Sequence, residues 1–93
     1  MNIILSSLYS RDIKKLKVDI SSQLEKTLEL LHSNLSHPSL HNKHIQCKRE
    51  KNLYSIRVNK QFRVLYILNK DKEEIIIYRL LSHDKYDRLT SEC

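Results

Sequence analysis

Four side chains in the C-terminal half of the chain have types that do chemistry together: Arg57, Arg63, His83 and Tyr86. A guanidinium stays charged at any physiological pH and presents a planar fork of donors that matches phosphate. An imidazole with an unperturbed pKa of about 6.5 gives or takes a proton near neutrality. A phenol beside it moves a proton or stacks on a base. Such a set equips a site for a phosphate backbone, with RNA as the leading ligand.

The elements that must position these residues are strands. Residues 53–58 and 62–68 alternate apolar and polar around Asn59-Lys60-Gln61. If those three residues form the loop of a hairpin, Val58 faces Phe62 and Arg57 faces Arg63. Ile56, Val58, Phe62, Val64 and Tyr66 then share one face, and Ser55, Arg57, Arg63 and Leu65 share the other. A two-residue loop would push arginines into the apolar face, where an unpaired guanidinium is costly. Two like charges placed directly opposite each other cost stability, and a phosphate held between them relieves that repulsion through bidentate hydrogen bonds. The competing use of the two arginines is ion pairing with Glu50, Glu73 or Glu74.

Around the hairpin, the periodicity predicts a first strand over 2–5 and a brief helix over 11–16 capped by Ser10. A longer amphipathic helix starts at Asp19, with Ile20, Leu24, Leu28, Leu31 and Leu35 as its apolar stripe. His37-Pro38-Ser39 ends it, because proline and the residue before it resist helix. Residues 39–44 are expected as loop and 45–47 as a short strand. A last strand over 75–81 follows the turn 69–73, and 84–91 form a short helix or an irregular tail. The order is β-α-α-β-β-β-β within one domain spanning 1–93. This is an α+β arrangement, with two N-terminal helices on one face of a small, mainly antiparallel sheet whose other face is partly open.

Composition narrows the chemistry. A net charge of +6 and a pI near 9.4 favour polyanionic partners. Glycine is absent, which excludes the phosphate-cradling P-loop, the dinucleotide fingerprint and the G-x-S-x-G nucleophile elbow. The spacing of His32, His37, His41 and His44 matches no known ligand set, so neither a metal nor a cofactor is expected. Cys47 and the terminal Cys93 read as unpaired thiols in a reducing cytoplasm, with Cys93 frayed. No apolar run is long enough for a bilayer and no secretory signal opens the chain. Lys48, Arg49, Lys51, Lys60, Lys85 and Arg88 are expected to add diffuse attraction to RNA phosphates.

The segment LYSIRVNKQFRVLYI, followed by a strand and SHDKYDRL, resembles the RelE/ParE superfamily of toxins from type II toxin–antitoxin modules. Its nearer likeness is to the RelE-type mRNA interferases. The resemblance implies a compact toxin that enters the ribosomal A site, contacts rRNA, and cuts mRNA by attack of a ribose 2′-hydroxyl on the adjacent phosphate. It also implies a cognate antitoxin that covers the basic surface. Arg63 then matches the arginine of the Y/F-R-x-x-Y strand that stabilises the phosphate, and Arg57 the basic residue of the preceding strand. Tyr86 and His83 match the H-D-x-x-Y tail, as stacking group or proton acceptor and as acid or base. Ser55 departs from the pattern, standing where a second lysine is often found; Lys48, Arg49 or Lys51 is expected to supply that charge. Two further functions are compatible with the same residues: gyrase inhibition of the ParE kind, and RNA binding without cleavage.

Overall fold

The computed structural model describes all 93 residues. The chain runs β1 (Asn2–Leu5), α1 (Ser7–Lys14), α2 (Ser21–Ser33), a 3-10 turn (Pro38–Leu40), β2 (Lys43–His44), β3 (Leu53–Arg57), β4 (Phe62–Asn69), β5 (Glu74–Ser82) and α3 (His83–Ser91). The five strands form one sheet in the order β1-β5-β4-β3-β2. Only the β1–β5 pair is parallel. That follows from connectivity: α1 and α2 intervene between β1 and the meander, whereas β3, β4 and β5 are joined by tight turns that force antiparallel pairing.

The apolar stripe of α2 does what its spacing predicts. Leu24 and Leu31 are buried with Tyr9 of α1 against Ile56, Val64, Tyr66, Ile75, Ile77 and Leu80 of the sheet. Helix boundaries differ from the expected ones for local reasons. α1 starts earlier because Ser6, not Ser10, is its cap: Ser6 Oγ accepts from the Tyr9 amide and donates to the Tyr78 carbonyl. Tyr78 is the extra residue at a bulge in the β4–β5 ladder, so one serine both starts the helix and satisfies the interrupted strand. At α2 the capping position is Ile20, with no side-chain bond. Asp19, one residue earlier, accepts from the backbone and hydroxyl of Ser21 instead, and those bonds hold its carboxyl below the usual range. The helix stops at Asn34, before Leu35, and Pro38 opens the 3-10 turn. The fourth strand from the C-terminus is Lys43–His44 rather than 45–47, because its pairing with β3 ends where Ile45 donates to Leu53.

The second face of the sheet is less open than its pattern predicts. Residues 83–91 are helical, capped by Ser82, and α3 folds back over Ile45, Leu53, Leu65 and Leu81 to make a small second core that includes Tyr86 and Leu89. Cys47 and Cys93 are joined there as a disulfide, with their Cα atoms 4.6 Å apart. This corrects the reading of two unpaired thiols and a frayed terminus. Their sequence separation of 46 carries no hint of proximity; only the docking of α3 creates it.

Two polar contacts lock the layers. Asp12 of α1 accepts from Arg79 Nε (2.8 Å), Arg79 Nη2 (3.0 Å) and the Leu80 amide (2.9 Å), and the aspartate raises the Arg79 pKa further. Asn42 donates to the buried Tyr66 hydroxyl at 2.7 Å. Burial pushes the Tyr66 phenol up to about 12 from its ordinary 10.0. A tyrosine with a raised folded-state pKa favours the neutral form, so its contribution is complete below pH 10 and is lost as pH rises through about 12. In chemical denaturation at alkaline pH, Tyr66→Phe is therefore expected to flatten the decline of stability across that window. An unchanged decline would show that Tyr66 is not responsible for it.

Candidate functional site

The β3–β4 hairpin builds the site. Arg57 is the cross-strand partner of Arg63, and Ile56 the partner of Val64, so the two arginines stand opposite one another as the three-residue loop requires. Asn59 organises the loop: its Oδ1 accepts from the Gln61 and Phe62 amides, and its Nδ2 donates to Gln23 of α2. Asparagine at such a position closes a turn with its own side chain.

Arg63 Nη1 donates to the carbonyls of Asn59 (2.8 Å) and Phe62 (3.2 Å). This holds the guanidinium at the hairpin end and leaves its remaining N–H groups for a ligand. Arg57 stands where β3 has no outer neighbour and also borders a cavity lined by Gln23, Lys26, Thr27 and Leu40. The ion pairs in the fold are Arg79–Asp12 and His83–Asp87. Neither Arg57 nor Arg63 meets a carboxylate, and Glu50, Glu73 and Glu74 pair with neither. Arg79, which opposite Leu65 stands one cross-strand position from Arg63, is by contrast consumed by Asp12 and serves the fold.

α3 brings the other two residues to the same face. The His83 amide donates to the Gln61 carbonyl of the hairpin at 2.7 Å, and His83 lines an open cavity of about 370 Å³ with Lys60, Gln61, Phe62, Ser82 and Asp84. Asp87, one turn on, lies 3.5 Å from His83 Nδ1. That contact favours an orientation in which Nε2 is the nitrogen left for a ligand. Tyr86 packs on the second core, and its hydroxyl meets Ser55 Oγ at 2.9 Å. The His83 and Tyr86 rings are 6.5 Å apart.

The other basic residues divide. Lys60 sits in the hairpin loop beside His83, and Lys85 and Arg88 are exposed on α3. Lys48, Arg49 and Lys51 belong to the segment leading into β3, at the opposite end of that strand from Arg57. Arg49 there lines a cavity with Cys47, Leu53, Ile67, Leu89 and Cys93. Four residues of strand separate Leu53 from Arg57, so this group stands roughly 13 Å along the strand from that arginine. Asp87 is a contributor that sequence reasoning missed, and nothing local signalled it; the bonds of Ser55 to Tyr86 and of Asn59 to Gln23 were likewise not legible, although both positions were noted in the hairpin. No group of three His, Cys, Asp or Glu side chains is gathered as a metal site.

Residues 3–85 match the family model of the ParE toxin of the type II toxin–antitoxin system parDE. The chain belongs to this toxin family. Solved structures of toxins share its fold. It is similar to a copper-bound mutant toxin from Helicobacter pylori, with 22% identity and a TM-score of 0.70 over 91% of this chain and 97% of that one. It is similar to YafQ in the DinJ–YafQ complex of E. coli, with 20% identity and a TM-score of 0.74 over 90% and 94%. It is also similar to RelE in the archaeal RelE–RelB complex of Pyrococcus horikoshii OT3, with 15% identity and a TM-score of 0.70 over 87% and 92%. At these identities the likeness establishes the α+β fold. No curated protein sequence matches the toxin, and no helix is long and apolar enough to cross a membrane.

Proposed function

We propose that this toxin is an endoribonuclease that cuts mRNA in the ribosomal A site, acting in the cytoplasm without a metal or other cofactor. The observation that carries the reading is the Arg57–Arg63 pair: two cations opposed in register and free of carboxylates, on the hairpin whose Gln61 carbonyl accepts from the His83 amide at the start of α3. A non-bridging phosphate oxygen pair between the guanidiniums gains charge-assisted bonds that strengthen as negative charge builds in the transition state. His83 Nε2 takes the proton of the 2′-hydroxyl, or delivers one to the leaving 5′-oxygen. Tyr86 supports the substrate base or completes the proton path. Lys60, Lys85 and Arg88 attract the RNA and rRNA backbones. Incubating the purified toxin with translating ribosomes and mapping new mRNA 5′ ends tests the reading. Intact mRNA under growth-arresting conditions refutes it.

A cognate antitoxin is the proposed protein partner. The presence of toxin–antitoxin complexes among the similar structures, DinJ–YafQ and RelE–RelB, supports it. A second reading, gyrase inhibition without RNA cleavage, is favoured by the ParE family match itself. Growth arrest accompanied by a DNA-damage response and uncut mRNA would select it.

One expected effect separates the roles of Tyr86. Tyr86→Phe keeps the packing on the second core but removes the hydroxyl bonded to Ser55. If the phenol handles a proton, single-turnover cleavage falls by about 10²-fold with unchanged binding. If Tyr86 only stacks, Phe retains activity and Ala loses it.

A further inference from the structure

A third cation lies on the same face as the arginine pair. In β2, Lys43 is the partner of Ser55 and His44 the partner of Tyr54. Directly opposed residues project to the same side of a sheet. The His44 ring is 4.9 Å from Tyr54, and Tyr54 stacks on the buried Tyr66, which fixes His44 and Tyr54 on the α2 side. Lys43 and Ser55 therefore occupy the other side, with Arg63, His83 and Tyr86. His44 Nε2 contacts the Lys51 carbonyl at 2.7 Å, which pins this edge in register.

Ser55 itself is only 3% exposed and is engaged by Tyr86, so it meets no ligand. Lys43 is exposed and has no carboxylate within ion-pair distance. Its position is about 7 Å along the strand direction and about 5 Å across it from Arg57. One phosphate between Arg57 and Arg63 does not span that distance. A neighbouring phosphate of the same strand does.

We propose that Lys43 is the third cation of the RNA track, binding the phosphate adjacent to the one held between Arg57 and Arg63, on the Tyr86 side. It supplies from the neighbouring strand the charge that Ser55 lacks. The assignment rests on the nuclease reading for its substrate. A lysine ammonium is a point charge without the bidentate geometry of arginine, so Lys43 contributes affinity and register rather than transition-state stabilisation.

The test is salt-dependent binding of a single-stranded oligoribonucleotide made uncleavable by 2′-O-methylation, in parallel with mRNA cleavage on ribosomes. Lys43→Ala is expected to reduce the slope of log K against log salt by about 0.7, the value for one phosphate contact on a single strand. In cleavage it raises KM and leaves kcat unchanged. Lys43→Arg restores both. Lys72→Ala, in the exposed β4–β5 turn, removes the same charge with no change in slope. Equal slopes for wild type and Lys43→Ala, or equal losses for Lys43→Ala and Lys72→Ala, overturn the assignment while leaving the nuclease reading in place. If the wild type binds the oligonucleotide but cuts no mRNA, the nuclease reading falls, and the slope still decides Lys43. If the wild type does not bind RNA at all, both fall.

Discussion

Arg63→Gln is expected to lower ribosome-dependent mRNA cleavage by about 10²–10³-fold, the typical cost of deleting one group that stabilises developing oxyanion charge. The loss should fall on kcat, because the interaction strengthens as charge accumulates on the phosphoryl oxygens. The fold should survive. Arg63 is half-buried and its protein contacts are two carbonyls at the hairpin end, which a glutamine amide can partly satisfy. No carboxylate is left unpaired by the change, in contrast to Arg79, whose removal would strand the largely buried Asp12. Far-UV circular dichroism and the thermal midpoint should therefore match wild type while cleavage is lost. Arg57→Gln should act in the same direction, and the double substitution should cost less than the product of the two, since both act on one phosphate. Full cleavage by Arg63→Gln would remove Arg63 from the mechanism. Loss of cleavage together with unfolding would show that the arginine pair serves the fold.

The second large effect concerns the tether of α3. In the chain-entropy account, linking residues at a sequence separation of 46 restricts the unfolded state by about 4 kcal/mol, and native disulfides commonly deliver about 2–4 kcal/mol. Cys93→Ser is expected to lower the denaturant midpoint accordingly under oxidising conditions. Reductant should bring wild type down to the level of the variant and leave the variant unaffected. Local opening should concentrate in α3, read as faster amide exchange over His83–Ser91, because that helix rests on a core of only four buried residues. The reduced protein reports the state of α3 in a cytosol, where thiols are kept reduced. Identical midpoints with and without reductant would show that the bond contributes nothing to stability.

The two outcomes bear on each other through Tyr86 and His83. Both stand on α3, and the helix is fixed at its start by the His83–Gln61 backbone bond and at its end by Cys93. A loosened α3 is expected to lose catalytic geometry before the main core, which α1 and α2 hold without its help.

Much of this protein was legible in its residues because the relevant signals are local. The apolar stripe from Ile20 to Leu31 has one period, the strand alternation has another, and each can be read within a dozen residues. The hairpin register was also legible. Side chains alternate strictly along a strand, so only one loop length keeps Ile56, Val64 and Tyr66 on one face and both arginines on the other. The cost of burying a guanidinium alone selects the partner of Arg63.

What the tertiary structure decided is everything that depends on how α3 returns and where β2 pairs. A tail read as helix or irregular chain becomes the cover of a second core, and its return joins Cys47 to Cys93 and Tyr86 to Ser55. A two-residue strand, too short to carry a period, puts Lys43 rather than Lys48, Arg49 or Lys51 beside Ser55. Asp12, an unremarked residue of a short helix, captures Arg79, the one arginine of the chain held in an ion pair. The physical reason is common to all three. Periodicity reports which face of an element is apolar, but the pairing of distant polar groups is chosen by packing, once the elements are in place.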